Sequence, residues 1–418
     1  MANGLDRLVL LSTGPRDQLD LELSPYCYNP PMDSLVRFAK FRLLAALYLG
    51  LCFALTARGA DTLVRVTFGE SSSPSTLEGK LVVQAADGGL LLLDRDGRIR
   101  TIGHAKSPRV EPLDRPFVRF NSSELARSLR DELGPDFEIV QTRHYVIATR
   151  ASREYAQWCG DLFERLLGAF LEHWKSAGLP LTEPQWPLAA IIFAGEADFK
   201  EYANADAGAF GGESKGYYSI TTNRIVLYDL TASKGKKRAT TATEIKRRAA
   251  AASFNMSTVV HEATHQIAFN SGMHTRLADN PLWLTEGMAM YFETPDLEGT
   301  HGWKTSGEIN RPRLNRFLDF ARKRRKKDSL STLISGVDRF IDSHKAQDAY
   351  AESWALTYFL NEKHREQYVA YLERLAKKQP MIWDEPEARE AEFQAAFGSD
   401  LKTLDAEFLR VMRALPKR

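Results

Sequence analysis

The 418-residue chain is 44% hydrophobic and 26% charged, an ordinary globular composition long enough for two or three domains and at least one sizeable core. Lys+Arg total 56 against Asp+Glu 54, a formal net charge of +2, which excludes a global field that would draw the protein to nucleic acid or to a membrane surface. Two basic runs, Ser233 to Arg248 and Arg322 to Lys327, lack the interleaved aromatics that base stacking wants, and read as a solvated loop and a solvated helix end.

Near the N-terminus, Arg37, Lys40 and Arg42 precede an apolar run from Leu43 to Leu55, followed by the small residues Ala57 and Gly59. That order describes a secretory signal peptide cleaved after Gly59, with residues 1–60 as the signal region and Met32 as its expected initiator. The run falls short of the ~20 residues that span a bilayer, so no stable membrane anchor is expected after cleavage. Leu51 is too bulky, just ahead of Cys52, for lipoprotein processing. The mature chain would keep Cys159 alone, without an internal disulfide, and would be secreted or periplasmic, in the cell envelope.

Short alternating runs follow, Leu63 to Phe68, Gly79 to Val83 and Leu90 to Leu93, then a turn at Asp94–Gly97 and a further strand to Ile102. They predict a small antiparallel β domain over residues 61–112. A helix is expected over Ser122 to Leu133, a strand pair over 137–141 and 145–149, and a long helix over 151–176. Tyr155, Trp158, Leu162, Phe163, Leu166 and Phe170 form a core-facing stripe on that helix. A buried strand, Leu188 to Phe193, leads to a helix near Glu196 to Ala203. The Gly-rich stretch from Gly208 to Gly216 matches no phosphate-binding loop. Tyr217 to Thr221 and Arg224 to Leu230 read as a hairpin turning at Thr222-Asn223. Its second strand is either an edge for an extended peptide or a plain core strand. From about Thr240 the pattern is helical to the end, including helices at Leu314 to Arg324, Asp348 to Glu362 and Glu366 to Lys377. His144, His173, His301, His344 and His364 sit in no motif and are expected at the surface.

The chemistry is concentrated in His261-Glu262-Ala263-Thr264-His265, an HExxH pattern. Histidines at i and i+4 share one helix face, so both imidazoles can reach a single ion, with Glu262 beside them as a proton acceptor. Val259, Val260, Ile267 and Ala268 give this helix an apolar face, and Gly272 is its expected stop. A third ligand is supplied by Glu286, in the second turn of a helix opened by Asn280 as N-cap and Pro281 at the first helical position. A carboxylate among Trp283, Leu284, Met288 and Tyr291 is costly unless its charge is paired or metal-bound. Gly287 and Ala289 are small enough for this helix to approach the first. His274 fails as the third ligand, because HExxHxxGxxH needs Gly at 268 and His at 271, where the chain has Ala268 and Ser271.

HEATH followed by WLTEGMAMYFE resembles the gluzincins, zincins whose third ligand is a Glu on a second helix. It is closer still to a bacterial domain-of-unknown-function family of the peptidase-MA-like group, marked by HExxH and WLxEGxAxYFE. The resemblance covers roughly residues 135 to 370, and Tyr350-Ala351-Glu352-Ser353-Trp354-Ala355 resembles a recurring YAxSWA block. It implies an α+β, zincin-like catalytic domain over residues 117–299 with a helical C-terminal lobe over 300–418. It also implies Zn2+ held by His261, His265 and Glu286, and Glu262 as catalytic base in metal-assisted hydrolysis of a peptide or protein substrate. By analogy Tyr350 is the candidate oxyanion donor, with a packing tyrosine beside Trp354 as the alternative. Met290 stands four residues after Glu286, where thermolysin-like gluzincins commonly carry an Asp, so the support of the metal ligands is left unassigned. The competing reading is a catalytically inactive binding or scaffolding protein on a zincin frame.

Overall fold

The computed structural model describes residues 62–416 apart from 71, 208–213, 233–237, 295, 298–306 and 399. The signal region with Met32 and Cys52, His301, and parts of the Gly-rich stretch and of the first basic run therefore lie outside the described residues. Five strands come first: β1 (Thr62–Phe68), β2 (Ser75–Gln84), β3 (Leu90–Leu93), β4 (Ile99–Ile102) and β5 (Arg109–Pro116). They form one antiparallel sheet in the order β4-β3-β2-β1-β5 around Val64, Val66, Leu90, Leu92 and Ile102. The fifth strand carries the sheet past the expected limit near residue 112. It is mostly exposed and holds Pro112 and Pro116, so it shows no clean alternation and suits only an edge.

Helix α1 (Ser122–Leu133) leads into a second sheet, whose strands alternate with helices: β6 (Glu138–Gln141), β7 (Tyr145–Thr149), α2 (Arg153–Ser176), β8 (Leu188–Phe193), α3 (Glu196–Ala207), β9 (Gly216–Ser219) and β10 (Arg224–Tyr228). The order is β6-β7-β8-β10-β9, with β8 parallel to both β7 and β10 and antiparallel pairs at either end. Both faces are covered, which is why β7 and β8 read as unbroken apolar runs. Ile147, Ala190, Ile192, Ile225 and Leu227 face the core built on α2, whose aromatic stripe is buried as expected. Val146, Ala148, Ala189, Ile191 and Val226 face Leu125, Leu129 and Phe199 of α1 and α3. Of the two readings of the second hairpin strand, the structure takes the core one: β10 is interior, paired on both sides, and β9 is the terminal strand of the sheet.

The remainder is helical: α4 (Ala242–Ala251), α5 (Ser253–Asn270), α6 (Leu282–Phe292), α7 (Arg311–Lys323), α8 (Ser329–Ser335), α9 (Asp338–Ile341), α10 (Ala346–Lys363), α11 (Arg365–Leu375), α12 (Pro386–Phe397) and α13 (Leu401–Ala414). The main core runs without a break from Val140 to Met412, so sheet and helical lobe share one interior. Helix α6 packs on both α5 and α10. A Cβ on Gly287 would lie 2.6 Å from the Ser353 carbonyl and collide with the Thr357 hydroxyl. The close approach that Gly287 permits is thus to α10 rather than to α5. Consecutive helical residues point about 100° apart, so the turn that aims Glu286 at α5 swings Gly287 to its other neighbour.

Three local readings also change. Asn280 does not cap α6; its amide donates to the carbonyls of Thr275 and Ala278, and Pro281 occupies the cap position. The second basic run is not wholly solvated, because the Arg325 side chain is only 5% exposed and pairs with Glu352 and Asp405. His144, His173 and His364 are half-buried, with His144 bonded to Glu164 and His364 to Glu407; His344 is exposed.

Candidate metal centre

Helix α5 is buried almost all round from Val259 to Phe269, because the second sheet lies on one side and α6 on another. It stops where Gly272 takes φ +89, the left-handed step expected of that glycine. His261 and His265, one turn apart, turn their Nε2 atoms to within 3.2 Å of each other. Glu286, fully buried on α6, brings Oε2 to 3.3 Å from His261 Nε2 and Oε1 to 3.6 Å from His265 Nε2. The ligand atoms of the three residues lie within 4.8 Å of one another.

The proton inventory of this group decides what it can hold. Nδ1 of His261 lies 3.2 Å from Oε2 of Glu293, while its Nε2 faces Glu286 and His265. Burial, then the nearby His261 and His274, hold His265 well below the usual histidine range, so it is neutral. Oε1 of Glu286 is buried with no hydrogen-bond partner. Two imidazoles and a carboxylate with one unpartnered oxygen, all within 4.8 Å, fit a cation in their midst, and that donor set suits zinc in a site that keeps a position open.

Glu293 supplies the support that had no assignment. It stands seven residues after Glu286, two turns along the same helix face, and is the last Glu of WLTEGMAMYFE. Its carboxylate is gripped by Arg313 (Nε–Oε1 2.9 Å, Nη2–Oε2 3.2 Å) and by the Asn310 amide at 2.7 Å. Burial alone would raise its pKa, but the Arg313 charge and the bonds from His261 and Arg313 bring it down to about 2. The seven-residue spacing was the available signal. Asn310 and Arg313 gave none, since they reach Glu293 from another helix. Glu293→Gln weakens the grip on His261 and is expected to lower the affinity of the site for a divalent metal ion roughly 10–100-fold, measured by competition with a chromogenic chelator.

Glu262 is completely buried next to His261, and its Oε2 accepts a 2.8 Å hydrogen bond from the backbone N–H of Tyr218 on β9. A main-chain donor leaves no signature in side-chain identity, so this contact was invisible in the sequence. Tyr350 lies on α10 in the main core, where its ring meets Phe340 edge-on at 5.4 Å. Ser353 donates to the Ala349 carbonyl of its own helix. His274 packs against Phe269, outside the group, as the spacing argument required.

The model of one family, described as a protein of unknown function (DUF1570), matches residues 255–382. The match takes in α5 through α11 and so contains all three converging side chains and Glu262. It leaves out the small β domain and the second sheet, and starts well after the residue near 135 where the resemblance was expected to begin. No curated protein matches the chain.

Proposed function

We propose that this chain is a zinc-dependent hydrolase that cleaves peptide bonds outside the cytoplasm, with His261, His265 and Glu286 as ligands and Glu262 as general base. The observation that carries this reading is the convergence of buried His261, His265 and Glu286, with one Glu286 oxygen lacking a hydrogen-bond partner, beside a second carboxylate, Glu262, held by a backbone donor. Zinc bound there would act as a Lewis acid and lower the pKa of a coordinated water toward ~7. Glu262 would take the proton from the attacking water and return it to the leaving amine, as a base within reach of both. The Tyr218 N–H fixes that carboxylate without neutralising it. Terminal strand β9 favours an extended peptide as substrate, because a strand beside the base can align one by main-chain pairing. The HExxH helix beneath a mixed sheet, with the third ligand on the next helix, supports a zincin-like reading of the α+β fold.

Elemental mass spectrometry tests the centre directly. About one zinc per chain is expected in the wild-type protein, and none in Glu286→Ala. Absence of zinc from folded wild-type protein after reconstitution would overturn the hydrolase reading.

A further inference from the structure

The turn between β9 and β10 holds a polar cluster that the metal centre does not use. Asn223 sits there at φ +60, a left-handed conformation that Asn tolerates better than most side chains. It is 4% exposed, and its polar groups are engaged in several directions. Its N–H donates to the Ser219 carbonyl, closing the turn at 2.7 Å. Its carbonyl accepts from the Gln266 amide at 2.8 Å, and the same amide reaches the Ala189 carbonyl on β8. Its side-chain oxygen accepts from the Tyr218 hydroxyl and from the Asn270 amide, each at 2.8 Å, and its amide nitrogen donates to the Asn270 oxygen at 2.9 Å.

These partners lie on both sides of the reaction site. Gln266 directly follows the ligand His265, and Asn270 is one turn further along α5. Tyr218 is the residue whose backbone N–H holds Glu262, and its ring stacks on Phe269 of α5 at 5.7 Å. Asn223 therefore ties the strand that holds the base to the helix that bears the base and two ligands.

The small β domain reaches the same turn. Ile99 donates its N–H to the Thr221 carbonyl at 2.8 Å, and Gly97, at φ +91, packs against Asn223, where a Cβ would make van der Waals contact with the amide nitrogen at 3.4 Å but strain the backbone. Next to it, buried Arg224 forms two 2.8 Å bonds to Glu132 and lies 3.7 Å from Asp96. The tip of the β3–β4 hairpin thus clamps the β9–β10 turn from outside.

We infer that Asn223 is a positioning residue for the reaction, through which the N-terminal β domain sets β9, and with it the Glu262 carboxylate, against α5. The inference rests on the hydrolase reading for its catalytic consequence, while the mechanical link from the β domain to β9 stands apart from it. Asn223→Gly keeps the left-handed backbone and deletes the amide. Gly97→Ala disturbs the turn from the β-domain side without touching the site.

The experiment pairs hydrogen–deuterium exchange of residues 214–230 with zinc content and steady-state cleavage of fluorescein-labelled casein. Asn223→Gly is expected to keep its zinc and its KM, to lose kcat on the order of tenfold, and to exchange faster over Tyr217 to Ile220. Gly97→Ala should move exchange and kcat in the same direction by less. Unchanged exchange over β9 in both variants would overturn the inference, and so would KM rising in step with any fall in kcat. If wild-type protein binds zinc but leaves casein intact, exchange alone decides the mechanical link, and the failure belongs to the hydrolase reading.

Discussion

Glu262→Gln is expected to bind one zinc per chain as the wild type does, and to lose about 10²–10⁴-fold in kcat. The substitution suits the site because the residue is completely buried and its known partner is a donor: Tyr218 N–H points at Oε2 from 2.8 Å. A glutamine oxygen can accept the same bond, so β9 and α5 keep their spacing. What disappears is basicity. The amide cannot accept a proton at neutral pH, whereas His261, His265 and Glu286 are untouched. The pair of readouts separates two roles that a kinetic measurement alone would merge. Loss of turnover with zinc retained assigns Glu262 to proton transfer, while loss of both assigns it to building the site. Turnover of fluorescein-labelled casein at the wild-type rate by the zinc-loaded variant would remove Glu262 from the chemistry.

The parts of this arrangement legible in the sequence are those where one helix or one strand sets the outcome. Histidines at 261 and 265 share a face because a helix repeats every 3.6 residues, whatever surrounds it. The bounds of β7 and β8 follow from unbroken apolar runs, and the end of α5 from Gly272. The parts that stayed hidden depend on a second element. Gly287 is visibly a close-approach residue, but which helix approaches is a property of three helices together. Asn280 has a capping side chain, yet the loop from Thr275 to Ala278 offers carbonyls that take its amide instead. Edge status belongs to strand order rather than to composition, so which of β9 and β10 ends the sheet had no local signature. Glu293 is the intermediate case. Its two-turn spacing from Glu286 was readable, whereas the Arg313 that keeps it ionised was not.

The same dependence on distant partners governs the largest stability effect expected in the helical lobe. Glu352, within the YAESWA block, has no exposed surface and meets Arg325 and Arg339 at 2.7 Å through separate oxygens. Arg325, from a run that reads as solvent-facing, also pairs with Asp405 on α13, and Arg339 donates to the Ser329 carbonyl at 2.8 Å. One carboxylate therefore joins α9, α10 and the segment after α7, and through Arg325 the last helix. Deleting it leaves Arg325, 5% exposed, with one acid fewer and Arg339, 13% exposed, with none among the described residues. Breaking a buried pair by removing one partner costs about 3–5 kcal/mol, because the surviving charge stays desolvated. Glu352→Ala should therefore lower unfolding stability by about that amount in urea titration. Arg322→Ala, at a side chain 73% exposed and paired only along its own helix, should stay within about 0.5 kcal/mol of wild type. The comparison sets two buried pairs against one exposed pair, with Arg322 and Arg325 both drawn from the same six-residue basic run. Equal losses in the two variants would show that water reaches the Glu352 cluster, and that α13 is held by the apolar contacts of Phe408 with Phe317 and Phe359 instead.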